Sequence, residues 1–91
     1  MFVVISYDIP DDRRRDRVCQ TLKDFGTRVQ YSVFEAELRP QDLQRLEDRL
    51  RRLIDPREDS VRFYFLCRGC VSRIRVMGIG EVTRISSFYW I

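Results

Sequence analysis

Asp8 is the residue of this sequence best placed to do chemistry. It ends an apolar run, Phe2 to Tyr7, that predicts a buried strand, and Pro10 stops further strand pairing. Strand ends of this kind often hold ligands or metals. A magnesium ion takes one or two protein carboxylates plus waters and phosphate oxygens, so one aspartate per chain suffices if a second copy supplies another. The structural alternative is that Asp8 caps the next helix or pairs with an arginine.

Cys67 and Cys70 form a second candidate site, a CxxC motif. Such a motif serves redox chemistry when a helix starts directly after a strand, and it can supply two of the four ligands of a zinc site. Here Arg68-Gly69 predicts a turn instead. We therefore interpret the cysteines as a pair at a strand end without a metal. The alternative is a four-cysteine zinc site shared between two chains.

The composition narrows the chemistry further. The chain has no histidine, which excludes histidine general bases, catalytic triads and histidine-containing zinc sites. The net charge is +3, and of the 17 cationic residues only Lys23 is not arginine. Arginine binds phosphate bidentately, so this bias is compatible with nucleic-acid contact, and it also fits genome composition or heat adaptation.

The cellular compartment is predicted from segments that the sequence lacks. It has no apolar run of about 18 residues that would span a membrane. Its N-terminus shows neither a basic segment nor a cleavage site of a signal peptide. The odd count of 3 cysteines also argues against a disulfide framework. We expect a cytoplasmic protein without a membrane partner.

The elements that must position Asp8 begin with a helix over residues 12–25. Asp11 or Asp12 can accept a hydrogen bond from its first turn. Gly26 fits the position just past a helix at which φ is often positive.

Two short strands, or one strand with a sharp bend, are predicted over residues 27–38. The hydrophobic alternation changes phase between Val33 and Phe34. Since side chains of one straight strand alternate strictly between two faces, this change predicts a bulge or a tight turn near Ser32.

A second helix, from Pro40 to before Asp55-Pro56, and an aromatic-rich strand over Val61–Cys67 follow. The apolar residues 82–91 predict one or two further strands. The order is therefore βαββαβ with an extra C-terminal strand. This order is typical of a ferredoxin-like α+β fold, an antiparallel sheet with two helices on one face.

The predicted domain organisation is simple. We expect a single domain over residues 1–91, with about residues 1–80 as the core. About residues 81–91 are expected to form a C-terminal strand that pairs across a dimer or with a partner, because so apolar a tail is unfavourable in water.

Four blocks of the sequence resemble a known family. They are Ser6-Tyr7-Asp8-Ile9, Arg15-Asp16-Arg17, residues 26–35 and residues 59–64. Together they resemble the small CRISPR-associated adaptation protein, the second of the two universal CRISPR-associated proteins. The likeness runs from the first strand through Tyr64, and the tail after Cys67 is not diagnostic.

The resemblance implies a ferredoxin-like homodimer that takes part in spacer acquisition, an antiviral defence. It implies that the dimer bridges two dimers of the CRISPR integrase, the first universal CRISPR-associated protein. It also implies that Asp8 of each chain lies near the two-fold axis and binds a divalent metal, magnesium or manganese. The resemblance further implies a metal-dependent endonuclease that cleaves single-stranded RNA or double-stranded DNA. Secondary site or structural residues, by matching positions, are Tyr7, Arg15, Arg17, Arg28 and Phe34.

Three functions remain open at this point. The first is a metal-dependent nuclease that acts through Asp8; without histidine, hydrolysis must use a metal or carboxylates. The second is a non-catalytic scaffold that holds the DNA backbone and docks the integrase through its C-terminal strand, with Asp8 structural. The third is an RNA-binding module of the RRM type, for which Phe63 and Phe65 supply the aromatic part but not the flanking basic pattern.

Overall fold

The computed structural model describes residues 1–83. Its elements are β1 (Phe2–Asp8), α1 (Asp12–Lys23), β2 (Thr27–Gln30), β3 (Val33–Glu37), α2 (Pro40–Leu53), β4 (Ser60–Leu66) and α3 (Arg68–Val71). The strands form an antiparallel sheet in the order β2-β3-β1-β4. The predicted ferredoxin-like α+β fold is confirmed. The predicted C-terminal strand lies outside the described residues except at 81–83, which have no regular structure.

The core lies on one face of the sheet. Val3, Ile5 and Tyr7 of β1 belong to the same buried cluster as Leu22 of α1 and Leu46 of α2, so both helices cover this face. Because side chains alternate along a strand, the residues between them point to the opposite side. We call this side the outer face; on β1, β3 and β4 it consists of Phe2, Val4, Ser6, Asp8, Val33, Glu35, Glu37, Ser60, Arg62, Tyr64 and Leu66.

Helix α1 begins as the sequence predicts and ends two residues earlier. The side chain of Asp11 accepts a hydrogen bond of 2.8 Å from the backbone N–H of Arg14 and caps the helix. The expected positive φ at Gly26 is wrong, since within residues 1–83 only Gly78 and Gly80 have a positive φ. Gly26 lies instead directly over β3, where a Cβ atom would stand 2.5 Å from the carbonyl oxygen of Glu35. A close backbone approach, rather than backbone conformation, requires glycine here.

Of the two alternatives predicted for residues 27–38, the pair of strands is confirmed. Tyr31 and Ser32 form the turn between β2 and β3, and the register shifts between Arg28 and Gln30 as in a β-bulge. Arg28 donates two hydrogen bonds, of 3.1 and 2.7 Å, to the carbonyl oxygen of Tyr31. The arginine therefore closes the tip of this hairpin.

A buried ion pair fixes α1 to the start of β4. Arg14 donates hydrogen bonds of 2.8 and 3.2 Å to the two carboxylate oxygens of Asp59 and one of 2.7 Å to Glu58. The side chain of Asp59 is fully buried and also accepts a 2.8 Å bond from the backbone N–H of Asp55. The hydrogen bonds from Arg14 lower the pKa of Asp59, so the carboxylate stays charged although it is buried.

Replacement of Asp59 by asparagine should lower the free energy of unfolding at neutral pH by about 1 to 3 kcal/mol, because the half-buried guanidinium of Arg14 loses its charged partner. The folded pKa of Asp59 lies below the unfolded value, so its stabilisation exists above about pH 4 and is lost as the pH falls through the folded pKa. Urea unfolding followed between neutral and acid pH should therefore show a flatter pH dependence for Asp59→Asn. Glu58→Gln is the matched control, since Glu58 binds the same arginine from an exposed position, 56% accessible, and should change little. Equal effects of the two variants would contradict the assignment.

Helix α2 and strand β4 lie within one residue of their predicted bounds. The predicted turn at Arg68-Gly69 is wrong, because a one-turn helix, α3, starts there with Cys67 as its N-cap residue. A helical segment therefore does follow the strand directly, which the interpretation of the CxxC motif had discounted.

The chain after α3 returns to the sheet. We call residues 72–83 the C-terminal segment; it has no regular secondary structure. The backbone N–H and the hydroxyl of Thr83 donate hydrogen bonds of 3.1 and 2.6 Å to Oε1 of Glu35 on β3. The segment thus lies against the outer face. Within residues 1–83, no helix has the length and apolar character needed to cross a membrane.

Candidate functional site

Asp8 lies exposed at the C-terminal end of β1, on the outer face of the sheet. The antiparallel register with β4 places Ser60 opposite Asp8 and Arg62 opposite Ser6. Residues more than 50 positions apart in the chain therefore meet at this strand end.

A cavity of ≈ 230 Å³ opens beside Asp8. It is lined by Ser6, Tyr7, Asp8, Ser60, Arg62 and Tyr64. Nη1 of Arg62 donates a hydrogen bond of 3.3 Å to Oη of Tyr64, and this bond raises the pKa of the arginine. The cavity thus combines a carboxylate, hydroxyl groups and a permanent cation. Hard metal ions prefer such oxygen donors, and guanidinium groups bind phosphate.

The donor set of a single chain is incomplete for a metal. Within residues 1–83, no three or more cysteine, aspartate or glutamate side chains converge in a way that could hold an ion. Asp8 is the carboxylate of its cavity, and the hydroxyls of Ser6 and Ser60 are its other oxygen donors nearby. This set fits a magnesium-type ion if waters, substrate oxygens or a second Asp8 complete the shell.

Three of the predicted secondary residues, Tyr7, Arg15 and Arg28, line a separate cavity. Its volume is ≈ 210 Å³, and its lining residues are Tyr7, Asp12, Arg15, Asp16, Cys19, Arg28 and Tyr31. Arg15 donates hydrogen bonds of 3.0 and 3.4 Å to the carbonyl oxygens of Ile9 and Pro10 and pairs with Asp12. It therefore holds the loop that follows Asp8, whereas Arg28 is engaged in the hairpin turn.

Tyr7 and Phe34 belong to the core. Phe34 is fully buried, and its ring centroid lies 6.3 Å from that of Tyr7. Burial, followed by a hydrogen bond with Cys19, raises the pKa of Tyr7 to about 12, so its phenol is neutral at physiological pH. Arg17 is exposed on α1 and lines neither of the two cavities. The structure thus brings Tyr7 next to Asp8 but separates Asp8 from the other predicted residues.

Sequence reasoning missed Ser60, Arg62 and Tyr64 as site residues. Their signal is present in the chain, because polar side chains at every second position of a strand mark the face turned away from the core. Phe63 and Phe65, at the alternate positions of the same strand, give the stronger sequence signal. The pattern does not show that Ser60, Arg62 and Tyr64 lie near Asp8, because that proximity depends on the strand order and the register of the sheet.

Residues 1–74 match the family model described as CRISPR associated protein Cas2. The chain belongs to the Cas2 family. The match to the Cas2 model extends past the blocks that carry the sequence resemblance, which end at Tyr64, and the predicted family is confirmed.

Known Cas2 proteins are similar over nearly their whole length. A protein of Chloroflexus aurantiacus named CRISPR-associated endoribonuclease Cas2 3 is 47% identical over 91 residues, which cover 100% of this chain and 98% of that protein. The crystal structure of Streptococcus pyogenes Cas2 at pH 6.5 has a TM-score of 0.77 at 34% identity, over 86% of this chain and 100% of that chain. A chain of a partial Cas6-RT-Cas1–Cas2 complex has a TM-score of 0.79 at 25% identity, over 93% of each chain.

Proposed function

We propose that this Cas2-family chain is a metal-dependent endonuclease that works as a homodimer in the acquisition of CRISPR spacers. The observation that carries the proposal is the exposed Asp8 carboxylate in a polar cavity with Arg62, at the end of a central strand. The name of the Chloroflexus relative, a CRISPR-associated endoribonuclease, supports RNA as one substrate. Double-stranded DNA offers the same phosphodiester chemistry and is the second substrate to test.

The single carboxylate supports the homodimer. A second copy docked against the outer face would bring a second Asp8 toward the first, and two aspartates complete a site that one chain leaves open. A magnesium or manganese ion bound there supplies an activated water and stabilises negative charge on the attacked phosphate.

The chain's own residues position the substrate. The guanidinium of Arg62 binds a phosphate oxygen, and the hydroxyls of Ser6 and Ser60 donate hydrogen bonds to oxygens beside Asp8. Tyr64, hydrogen-bonded to Arg62 and 47% accessible, offers a ring on which an unpaired base can stack. Arg15 keeps the loop after Asp8 in place.

A second function rests on the structural similarity to a chain in a complex that contains Cas1. In this alternative, the homodimer is a non-catalytic scaffold that bridges CRISPR integrase dimers and holds DNA by its backbone, and Asp8 is structural. Docking through the C-terminal strand concerns residues outside the described range. In both functions the protein binds nucleic acid in the cytoplasm.

The deciding experiment replaces Asp8 with asparagine, which keeps the size and removes the charge. We expect the rate of magnesium-dependent cleavage of single-stranded RNA or double-stranded DNA to fall by at least about 100-fold, since a metal and its bound water lose their anchor. Asp48→Asn is the matched control, because it removes the same charge from α2, where Asp48 is half-buried, pairs with Arg51 and does not line the cavity of Asp8. Cleavage is followed on labelled substrates in gels, and the dimer by analytical ultracentrifugation.

Each outcome separates the two functions. Loss of cleavage in Asp8→Asn alone, with an intact dimer, supports the nuclease. Wild-type cleavage by the variant would overturn the role of Asp8. If no tested substrate is cleaved by the wild type and both variants still assemble with Cas1 and DNA, the scaffold is the correct function.

A further inference from the structure

The two cysteines of the CxxC motif lie in contact at the point where the chain leaves the sheet. Sγ of Cys67 and Sγ of Cys70 are 3.3 Å apart, and both thiols are free. A disulfide bond requires a sulfur–sulfur distance of about 2.05 Å, so the two sulfur atoms must come closer by about 1.2 Å to form one.

This pair is accessible from solvent. Both cysteines are exposed, and a Cβ atom built on Gly69, between them, would meet nothing within 4 Å. The third cysteine of the chain, Cys19, is buried in the core at 7% accessibility. A small reagent therefore reaches Cys67 and Cys70 more readily than Cys19.

The two thiols also differ in reactivity. The backbone N–H of Cys70 donates a hydrogen bond of 3.4 Å to Sγ of Cys67. This bond is the main cause of the lowered pKa of Cys67, whereas the hydrogen bond between the thiols raises the pKa of Cys70. Since the thiolate is the nucleophile, Cys67 is the attacking sulfur and Cys70 the resolving one.

We propose that Cys67 and Cys70 form a reversible dithiol–disulfide pair that is oxidised by small disulfides such as oxidised glutathione. The disulfide links the residue after β4 to α3 and thereby locks the turn from which the C-terminal segment departs toward β3. The proposal is independent of nuclease activity at Asp8.

The chemistry balances without a metal. The thiolate of Cys67 attacks one sulfur of the small disulfide, a protein–glutathione bond forms, and one glutathione thiolate leaves and takes up a proton. Cys70 then loses its proton and attacks Sγ of Cys67, which forms the Cys67–Cys70 bond and releases the second glutathione. Two protein thiols lose two electrons, and one small disulfide is reduced to two thiols.

The test treats the purified full-length protein with oxidised glutathione, alkylates the remaining thiols after unfolding, and maps peptides by mass spectrometry. We expect loss of two of the 3 alkylatable thiols, a Cys67–Cys70 disulfide, and full recovery after reduction with dithiothreitol. Cys70→Ser should retain one glutathione on Cys67, and Cys67→Ser should form no disulfide within the chain. Cys19→Ser, the matched control, should behave like the wild type.

Amide hydrogen exchange measures whether the disulfide restricts the turn after β4. In the oxidised protein, the amides of Val71 and Ser72 should exchange at least about tenfold more slowly than in the reduced protein. Four results would overturn the dithiol pair. They are three alkylatable thiols after oxidation, a glutathione that persists on the wild-type protein, a disulfide to Cys19, and a disulfide between chains. If both thiols resist alkylation until a chelator is added, they bind a metal and the proposal is wrong. Unchanged exchange in the disulfide form would overturn the lock.

Discussion

Replacement of Phe34 by alanine should lower the free energy of unfolding by about 3 to 5 kcal/mol, the largest effect expected for a single side chain here. Phe34 is fully buried at the centre of the core, pairs with Ile5 across the sheet and packs beside Tyr7. The alanine variant leaves a cavity that the rigid sheet cannot close. Urea denaturation followed by circular dichroism measures the loss.

This result would explain why Phe34 matches a family motif position without lining the cavity of Asp8. Phe34→Leu, which keeps most of the volume, should cost less than about 1.5 kcal/mol and retain the wild-type cleavage rate per folded molecule. Tyr64→Ala is the converse control. Its exposed ring contributes little to stability but lies in the site, so this variant should fold normally and cleave more slowly. If Phe34→Leu folds normally but loses nucleic-acid cleavage, Phe34 has a role in the site itself.

Replacement of Gly26 by alanine should cost about 3 kcal/mol, because the new methyl group overlaps the backbone of β3. Its Cβ would lie 2.5 Å from the carbonyl oxygen of Glu35 and 2.7 Å from the Cβ of Ala36, atoms that the sheet holds in place. Relief requires α1 or β2 to move away from β3. Thermal denaturation should show a lower midpoint for this variant.

Gly69 provides the matched control, since it lies in α3 with open space around its α-carbon. Gly69→Ala should leave stability unchanged or raise it by up to about 1 kcal/mol, because alanine restricts the unfolded chain. A Gly26→Ala protein as stable as the wild type would mean that the connection from α1 to β2 moves freely, contrary to the close packing observed.

The features that sequence patterns predicted are those that neighbouring residues determine. The apolar run of residues 2–8 predicts β1 and places Asp8 at its end. The phase change between Val33 and Phe34 predicts a bulge or a tight turn near Ser32, because one straight strand cannot place both sets of apolar residues on the same face. Both rest on periodicity within a few residues.

The features that the sequence did not reveal depend on contacts between distant segments. Gly26 is required by its approach to β3, and local patterns cannot distinguish that reason from a positive φ. Arg14 meets Asp59 only because α1 packs beside the loop before β4. Arg62 reaches the cavity of Asp8 through the register of β1 and β4, which a single sequence leaves open.

The strand order has a consequence for how this site can evolve. Asp8 ends β1, which lies between β3 and β4, and its own cross-strand partner is Ser60 of β4. Arg62 and Tyr64 lie on β4, which among residues 1–83 pairs with β1 alone. Substitutions on such a border strand disturb few neighbours. Substitutions of Arg62 and Tyr64, which are both exposed on β4, can therefore change the cavity beside Asp8 without replacing a core residue.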